Sequence, residues 1–236
     1  PPLAGKGATL GGTVAAGLSG PSRHRYGGLR DFLLGVRFVD GEGRAVRGGG
    51  KVVKNAAGFP FHRLMVGALG AFGVMVELSF KVFPRPRTTR TLRVRREGLK
   101  EALADLERLR LLPLDLLALD LVPPLELRLG GFERSVEARL KRLQDLLGDG
   151  EVLAEDEAHW EAVRDLGFLE GSPIWVKVPA KPHLIPRLEA LPLGPRRYLD
   201  GGEVLYAGTT EEGLKALREE GLPHLVLRGA EAPLFP

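Results

Sequence analysis

Between Thr9 and Pro21 the chain reads Thr-Leu-Gly-Gly-Thr-Val-Ala-Ala-Gly-Leu-Ser-Gly-Pro, setting Gly11, Gly12, Gly17 and Gly20 among hydroxyls and small side chains. Glycine takes positive φ freely and lets another group come close to the main chain. The N–H groups of a turn built this way form a concave anion site. The segment is therefore expected to be a turn that cradles a phosphate or pyrophosphate. Ordinary tight turns use the same residues, so the weight rests on an ordered series. The first stretch is followed by Gly28-Leu-Arg-Asp31, by Lys54-Asn55, and by Gly67-Ala-Leu-Gly-Ala-Phe-Gly-Val74.

A chain of 236 residues has room for one large or two modest domains, each with its own core. No apolar run approaches the roughly 18 residues of a membrane span, and no basic-then-apolar leader marks a secretory signal. The absence of cysteine excludes disulfides, thiolate catalysis, Cys-ligated zinc, iron–sulfur clusters and flavin attachment through sulfur within this chain. Asn55 and Gln144 are the single amides of their kinds, amid abundant Arg, Glu, Pro and Leu. That bias points to a thermophile, and it singles out Asn55, beside Lys54 and close before Gly58. The net charge of +4 is spread among interleaved acids and bases. Only the stretch from Arg85 to Arg96 is densely basic, and aromatics are too sparse for a stacking platform, which argues against nucleic acid. An acidic cofactor or partner explains the charge equally well.

Composition divides the chain at Pro84 and Pro86, giving expected domains of 1–87 and 88–236. In the first, Phe32–Val39 is a predicted strand turning at Asp40-Gly-Glu-Gly43 into Ala45–Arg47, a hairpin by its turn chemistry. Arg63–Leu69 is a predicted short helix and Val74–Phe83 a strand. In the second, predicted strands cover 90–95, 114–121, 125–129, 174–178, 197–199, 204–206 and 225–227. Predicted helices cover 99–111, 133–147, 155–166, 182–191 and 210–220. Two β-α-β-type units with antiparallel returns imply an α+β sheet layered on one face by helices. No internal repeat is legible in the residues.

Catalytic motifs are sparse. His24, His62, His159, His183 and His224 include no pair at the three- or four-residue spacing that puts two ligands on one helical face, so no metal site is expected. Ser19 lies outside any nucleophile elbow. Glu155-Asp-Glu157 opens a predicted helix, where carboxylates complement the helix dipole. What remains is ligand cradling. Gly70–Val74 joins a helix to a strand, either as a wall for a ligand or as a routine connection. Arg30-Asp31 reads as a loop-orienting pair. Lys54 meets an anion or caps carbonyls. Arg87, Arg90 and Arg197 are candidates for a carboxylate contact.

Four segments together resemble the flavin domain of the vanillyl-alcohol oxidase/p-cresol methylhydroxylase family: 7–21, 29–36, 49–58 (Gly-Gly-Lys-Val-Val-Lys-Asn-Ala-Ala-Gly) and 63–74 (Arg-Leu-Met-Val-Gly-Ala-Leu-Gly-Ala-Phe-Gly-Val), closing on Lys81-Val-Phe-Pro84. Within that family the resemblance narrows to the E subunits of bacterial glycolate oxidases. It implies an α+β fold: the second half of a PCMH-type FAD-binding domain, followed by a ferredoxin-like α+β cap. It implies noncovalent FAD along Thr9, Gly11, Gly12 and Thr13, a wall continued by Gly17, Ser19 and Gly20, and backbone contacts from Gly73 and Val74. Lys54 and Asn55 would sit near the flavin or brace its loop. The implied activity is oxidation of a small 2-hydroxy acid, glycolate to glyoxylate. The implied partners are a catalytic flavoprotein subunit and an iron–sulfur subunit, with the chain cytoplasmic and reaching the membrane face only through them.

Three departures accompany the resemblance. The family's upstream Gly-rich half does not precede Pro1, so only the second half is expected here. Gly58-Phe-Pro60 replaces the usual Gly-Tyr-Asp, and the His-rich metal motif of the catalytic subunits is missing from the cap. The alternatives are therefore a non-catalytic structural subunit with an incomplete flavin site, and a stand-alone flavin reductase or oxidase.

Overall fold

Thr9 caps α1 (Leu10–Ala15), its hydroxyl oxygen accepting the Gly12 N–H at 3.0 Å. Two glycines lower helix propensity in this segment, but the cap satisfies a terminal donor and Val14 is buried below against Leu33 and Val66. The segment expected to be a turn is thus a capped helix, with its turn delayed to Gly17. In the computed structural model, which describes residues 2–52, 59–148 and 150–229, the chain divides into two compact units, 1–85 and 86–236.

In the first unit α1 is followed by two one-turn helices, α2 (Arg23–Tyr26) and α3 (Leu29–Phe32), and by β1 (Leu33–Val39). β1 alternates inward Leu33, Val36 and Phe38 with outward Arg37, and β2 (Ala45–Gly49) returns antiparallel, pairing Val39 with Ala45. Asp40 closes the turn: its carboxylate accepts the Glu42 and Arg44 N–H groups at 2.9 Å each, which holds its pKa below the usual carboxylate range. The hairpin read from the sequence is present. α4 (Phe61–Leu64) stops short of the predicted end because Gly67 and Gly70 take φ of 84° and 86°. β3 (Val74–Phe80) completes a sheet of order β2-β1-β3 among the described residues.

The second unit repeats one pattern twice. β4 (Thr88–Val94), α5 (Leu99–Arg110), β5 (Ala118–Leu121), β6 (Leu125–Gly131), α6 (Glu133–Leu147) and β7 (Glu151–Val152) form the first βαββαβ half. α7 (Asp156–Arg164) then leads to β8 (Ile174–Pro179), α8 (Ile185–Glu189), β9 (Arg196–Leu199), β10 (Val204–Thr209), α9 (Glu211–Glu219) and β11 (Leu225–Arg228), the second half. Among the described residues the strands make one eight-stranded sheet of order β11-β8-β10-β9-β5-β6-β4-β7. Each half has the ferredoxin-like order, and they meet edge to edge at β9 and β5. The repeat was illegible because its halves share a chain path and not a residue pattern.

One sheet face is apolar. Leu92, Val94, Leu119, Leu121, Leu125, Leu127, Leu129 and Tyr198 pack against buried leucines and alanines of α5, α6, α8 and α9. α7 corrects the expectation of helices on a single face: its Trp160 and Val163 pack on Ala118, which points the opposite way from Leu119. No helix among the described residues is long and apolar enough to cross a membrane.

Candidate functional site

The first unit joins the glycine motifs through the backbone. The Gly67 N–H donates to the Val14 carbonyl and the Leu69 N–H to the Ala15 carbonyl, each at 2.9 Å. The residues after α4 therefore lie against the C-terminal end of α1. Gly17, at φ 60°, makes this approach close: a Cβ there would stand 3.2 Å from Gly67 Cα. Gly11, Gly67 and Gly70 show the opposite environment, with no atom within 4 Å of where a Cβ would point. These three expose bare main chain. Exposed apolar side chains accompany them: Leu10 beside Gly11, Phe72 after Gly70, and Val74, which is 71% exposed at the start of β3.

The residues singled out in the sequence separate by surroundings. Thr9 and Gly12 belong to the α1 cap. Thr13 is buried, and its hydroxyl donates back to the Thr9 carbonyl at 2.9 Å. The Ser19 hydroxyl oxygen accepts the Leu29 N–H at 3.4 Å, bracing the entry to α3, while Gly20 lies against Pro2. Gly73, at φ 132°, faces the Val39 carbonyl so closely that a Cβ would fall 2.1 Å from its oxygen; glycine is required there by the strand pairing itself. Lys54, Asn55 and Gly58 lie outside the described residues. Asp31 accepts the Gly28 N–H at 2.9 Å, capping α3.

His62 sits on α4 with Nδ1 buried and without a hydrogen-bond partner, facing Gly49, where a Cβ would come within 2.8 Å of it. Burial, with the Arg63 charge adding to it, lowers its pKa.

The second unit holds a polar hub that sequence reading missed. Arg197 of β9, 3% exposed, donates from Nε to Asp120 of β5 at 2.8 Å and from its terminal nitrogen to Glu126 of β6 at 2.5 Å. Glu126 also accepts from Arg93 of β4 at 2.8 Å and meets His159 Nε2 of α7 at 2.7 Å. Beside it, Asp156 accepts from Arg128 at 2.7 Å, from Thr89 at 2.6 Å and from Thr91, whose oxygen takes the Trp160 indole N–H at 2.6 Å. The Arg128 and Arg197 guanidinium groups lie 5.6 and 5.0 Å from the Trp160 ring centre.

Burial pushes the Asp120 carboxyl up to about 6, with Arg197 opposing and Glu126 reinforcing the rise. Burial pushes Glu126 up as well, but the His159 hydrogen bond and Arg197 charge outweigh it and bring Glu126 to about 2. Arg197 is thus engaged internally. Arg90 meets Glu137 at 3.3 Å, and Arg87 lies over the Phe132 ring at 5.3 Å. The alternation of Thr89, Thr91 and Arg93 with Leu92 and Val94 is the sequence signal that marks the hub's face.

Comparison with known proteins shows what the chain is similar to. Residues 1–49 match the FAD binding domain family. A solved structure of alkyldihydroxyacetonephosphate synthase superposes with a TM-score of 0.64 over 92% of this chain and 53% of that one, at 15% identity. The fold is that of the PCMH-type FAD-binding flavoproteins, in mixed α+β form.

Within that class the chain is similar over nearly its whole length to glycolate oxidase subunit GlcE of Escherichia coli, 37% identical over 231 residues, 98% of this chain and 61% of GlcE. Glycolate oxidase subunit GlcD of Bacillus subtilis is 33% identical over 115 residues, 48% of this chain and 24% of GlcD. The resemblance to glycolate oxidase E subunits therefore holds. The chain spans less than two thirds of the length of these relatives.

Proposed function

We propose that this chain is the flavin-holding part of a glycolate-oxidase-type complex, in which its first unit binds FAD noncovalently. One observation carries the reading: a chain related to GlcE over 98% of its length exposes bare main chain at Gly11, Gly67 and Gly70, flanked by uncovered apolar side chains. A flat, partly apolar, anion-bearing ligand fits such a surface. Thr9, Gly11, Gly12 and Thr13 would line the ligand, with Gly17, Ser19 and Gly20 continuing the wall and Gly73 and Val74 adding backbone contacts. Lys54 and Asn55 join this set by the resemblance alone. Among these residues, Thr9, Gly12, Thr13, Gly17, Ser19 and Gly73 also have structural duties, so they would act by shaping the wall.

Bound FAD would supply two-electron redox chemistry. This chain's part is to hold it, exclude water from one side and present it to partners. The related GlcD sequence supports a second flavoprotein subunit in the same complex, and the resemblance adds an iron–sulfur subunit and a 2-hydroxy acid substrate. The burial of Arg197 between Asp120 and Glu126 favours a second reading, a subunit that binds flavin without oxidising substrate alone.

The test uses protein equilibrated with FAD and then desalted. Flavin retained after desalting and released into the supernatant by acid denaturation supports noncovalent binding; no retained flavin rejects it. Glycolate-dependent bleaching of that flavin by the chain alone identifies an independent oxidase. Bleaching only when the GlcD-like subunit is added identifies an accessory flavoprotein.

A further inference from the structure

The two halves of the eight-stranded sheet meet at a thin junction. β9 and β5 share a single register pair, Leu121 with Tyr198, against four or more at each junction within β8–β10, β9–β10, β5–β6 and β4–β6. Just beyond the paired residues, the Gly201 N–H donates to the Leu119 carbonyl at 2.7 Å. The hub crosses this junction: Arg197 belongs to the second half, Asp120 and Glu126 to the first. α7, the connector between the halves, reaches the hub through His159.

Asp120 sits on the junction itself, 0% exposed; its carboxyl meets Arg197 through Oδ2 and the Asp200 main chain, while Oδ1 is buried without a hydrogen-bond partner. A carboxylate sealed from water with one oxygen unmet is a poor place for a full negative charge and a good place for a proton.

We propose that the junction is a proton-linked seam, in which the two halves close around a protonated Asp120 and part more readily once that proton has left for solvent. The titratable and charged groups around it are Arg197 from β9, Glu126 and Arg128 from β6, Arg93 from β4, and His159 and Asp156 from α7, and the Asp200 main chain hydrogen-bonds the carboxyl and opposes the rise. Arg197 is held by both carboxylates, so it stays in place through Glu126 when Asp120 is neutral. The sign follows from linkage. Asp120 is raised from an ordinary 3.8 to about 6 when closed, so the closed seam binds the extra proton between those values. Its contribution is complete below the ordinary value and is lost as pH rises through about 6.

The Gly201 amide reports the seam directly. Hydrogen exchange, corrected for the intrinsic pH dependence of the chemical step, is expected to show its opening equilibrium rising about tenfold between pH 5 and pH 8. The amides pairing Val176 with Ala207, inside the second half, should not share that rise. Asp120→Asn, which mimics the neutral acid, should flatten the Gly201 profile, whereas His159→Gln should keep it. A Gly201 profile unchanged by Asp120→Asn, or a rise shared equally by every amide, overturns the proposal. So does loss of the profile in His159→Gln. If Asp120→Asn fails to fold, infrared spectra of the wild-type chain decide. A protonated-carboxylic-acid band that fades through about pH 6 supports the seam, and its absence at pH 5 rejects it.

Discussion

The two units keep their polar chemistry in opposite places. The second unit buries an extended leucine core on one sheet face and seals an ionic hub against the other. Among the described residues the first unit shows small apolar clusters around Val14 and Val36, and leaves Leu10, Phe72, Val74 and Val76 uncovered beside bare glycine backbone. One unit spends its side chains on holding itself together. The other leaves main chain and apolar surface to be met from outside. Exposed apolar surface of this kind suits the flavin binding proposed for it, whereas a buried ion network marks architecture unless a ligand reaches it.

The sharpest way to break this contrast is to remove the hub's centre. Glu126→Ala leaves Arg197, Arg93 and His159 facing an empty place, and should cost about 3–5 kcal/mol of second-unit stability in urea unfolding. The pair Arg44–Asp40 in the first unit is solvated on the arginine side, and breaking it should cost far less than loss of the hub. Equal effects would erase the distinction between the units.

Leu106→Ala, from the fully buried core beneath α5, should cost about 2–5 kcal/mol by the cavity it leaves. The same unfolding measurement checks it.

Acid provides the next test. Glu126 is lowered from 4.5 to about 2 in the folded chain, so the stability it contributes is present above its ordinary value and is lost as pH falls through about 2. Glu126→Gln should flatten the second unit's stability between pH 5 and pH 2, and an unchanged acid limb would show that the hub does not hold the charge. The smallest effect is expected from Thr9→Ala, which removes the α1 cap at a cost of about 1 kcal/mol to the first unit.

Local pattern was legible where the forces are local. The β1–β2 hairpin follows from Asp40-Gly-Glu-Gly43, and α6 spans the predicted Glu133–Leu147, with leucines at helical spacing ahead of Gly148. The α1 segment reads as a turn because glycine takes positive φ freely, while the helix it forms is stabilised by a cap and by Val14 buried under residues far along the chain. β7, two residues long, carries no periodicity to read. The hub was illegible because Asp120 and Arg197 are 77 residues apart and become partners only when the two ferredoxin-like halves meet. On the candidate site, the sequence marked glycines without distinguishing their roles. Gly73 answers to the Val39 carbonyl and Gly17 to Gly67, while Gly11, Gly67 and Gly70 face open space.

That last distinction allows a direct test of flavin binding by the first unit. Gly11 lies within α1, where a side chain meets nothing within 4 Å, so Gly11→Leu should leave the fold intact and stabilise the helix by about 0.5–1 kcal/mol. The same side chain would stand on the bare surface assigned to FAD. Titrating FAD into the wild-type chain and into Gly11→Leu, with flavin fluorescence as the readout, should show saturable binding that weakens at least tenfold in the variant while its unfolding midpoint holds or rises. Binding of equal strength in both, or none in the wild-type chain, would contradict the account.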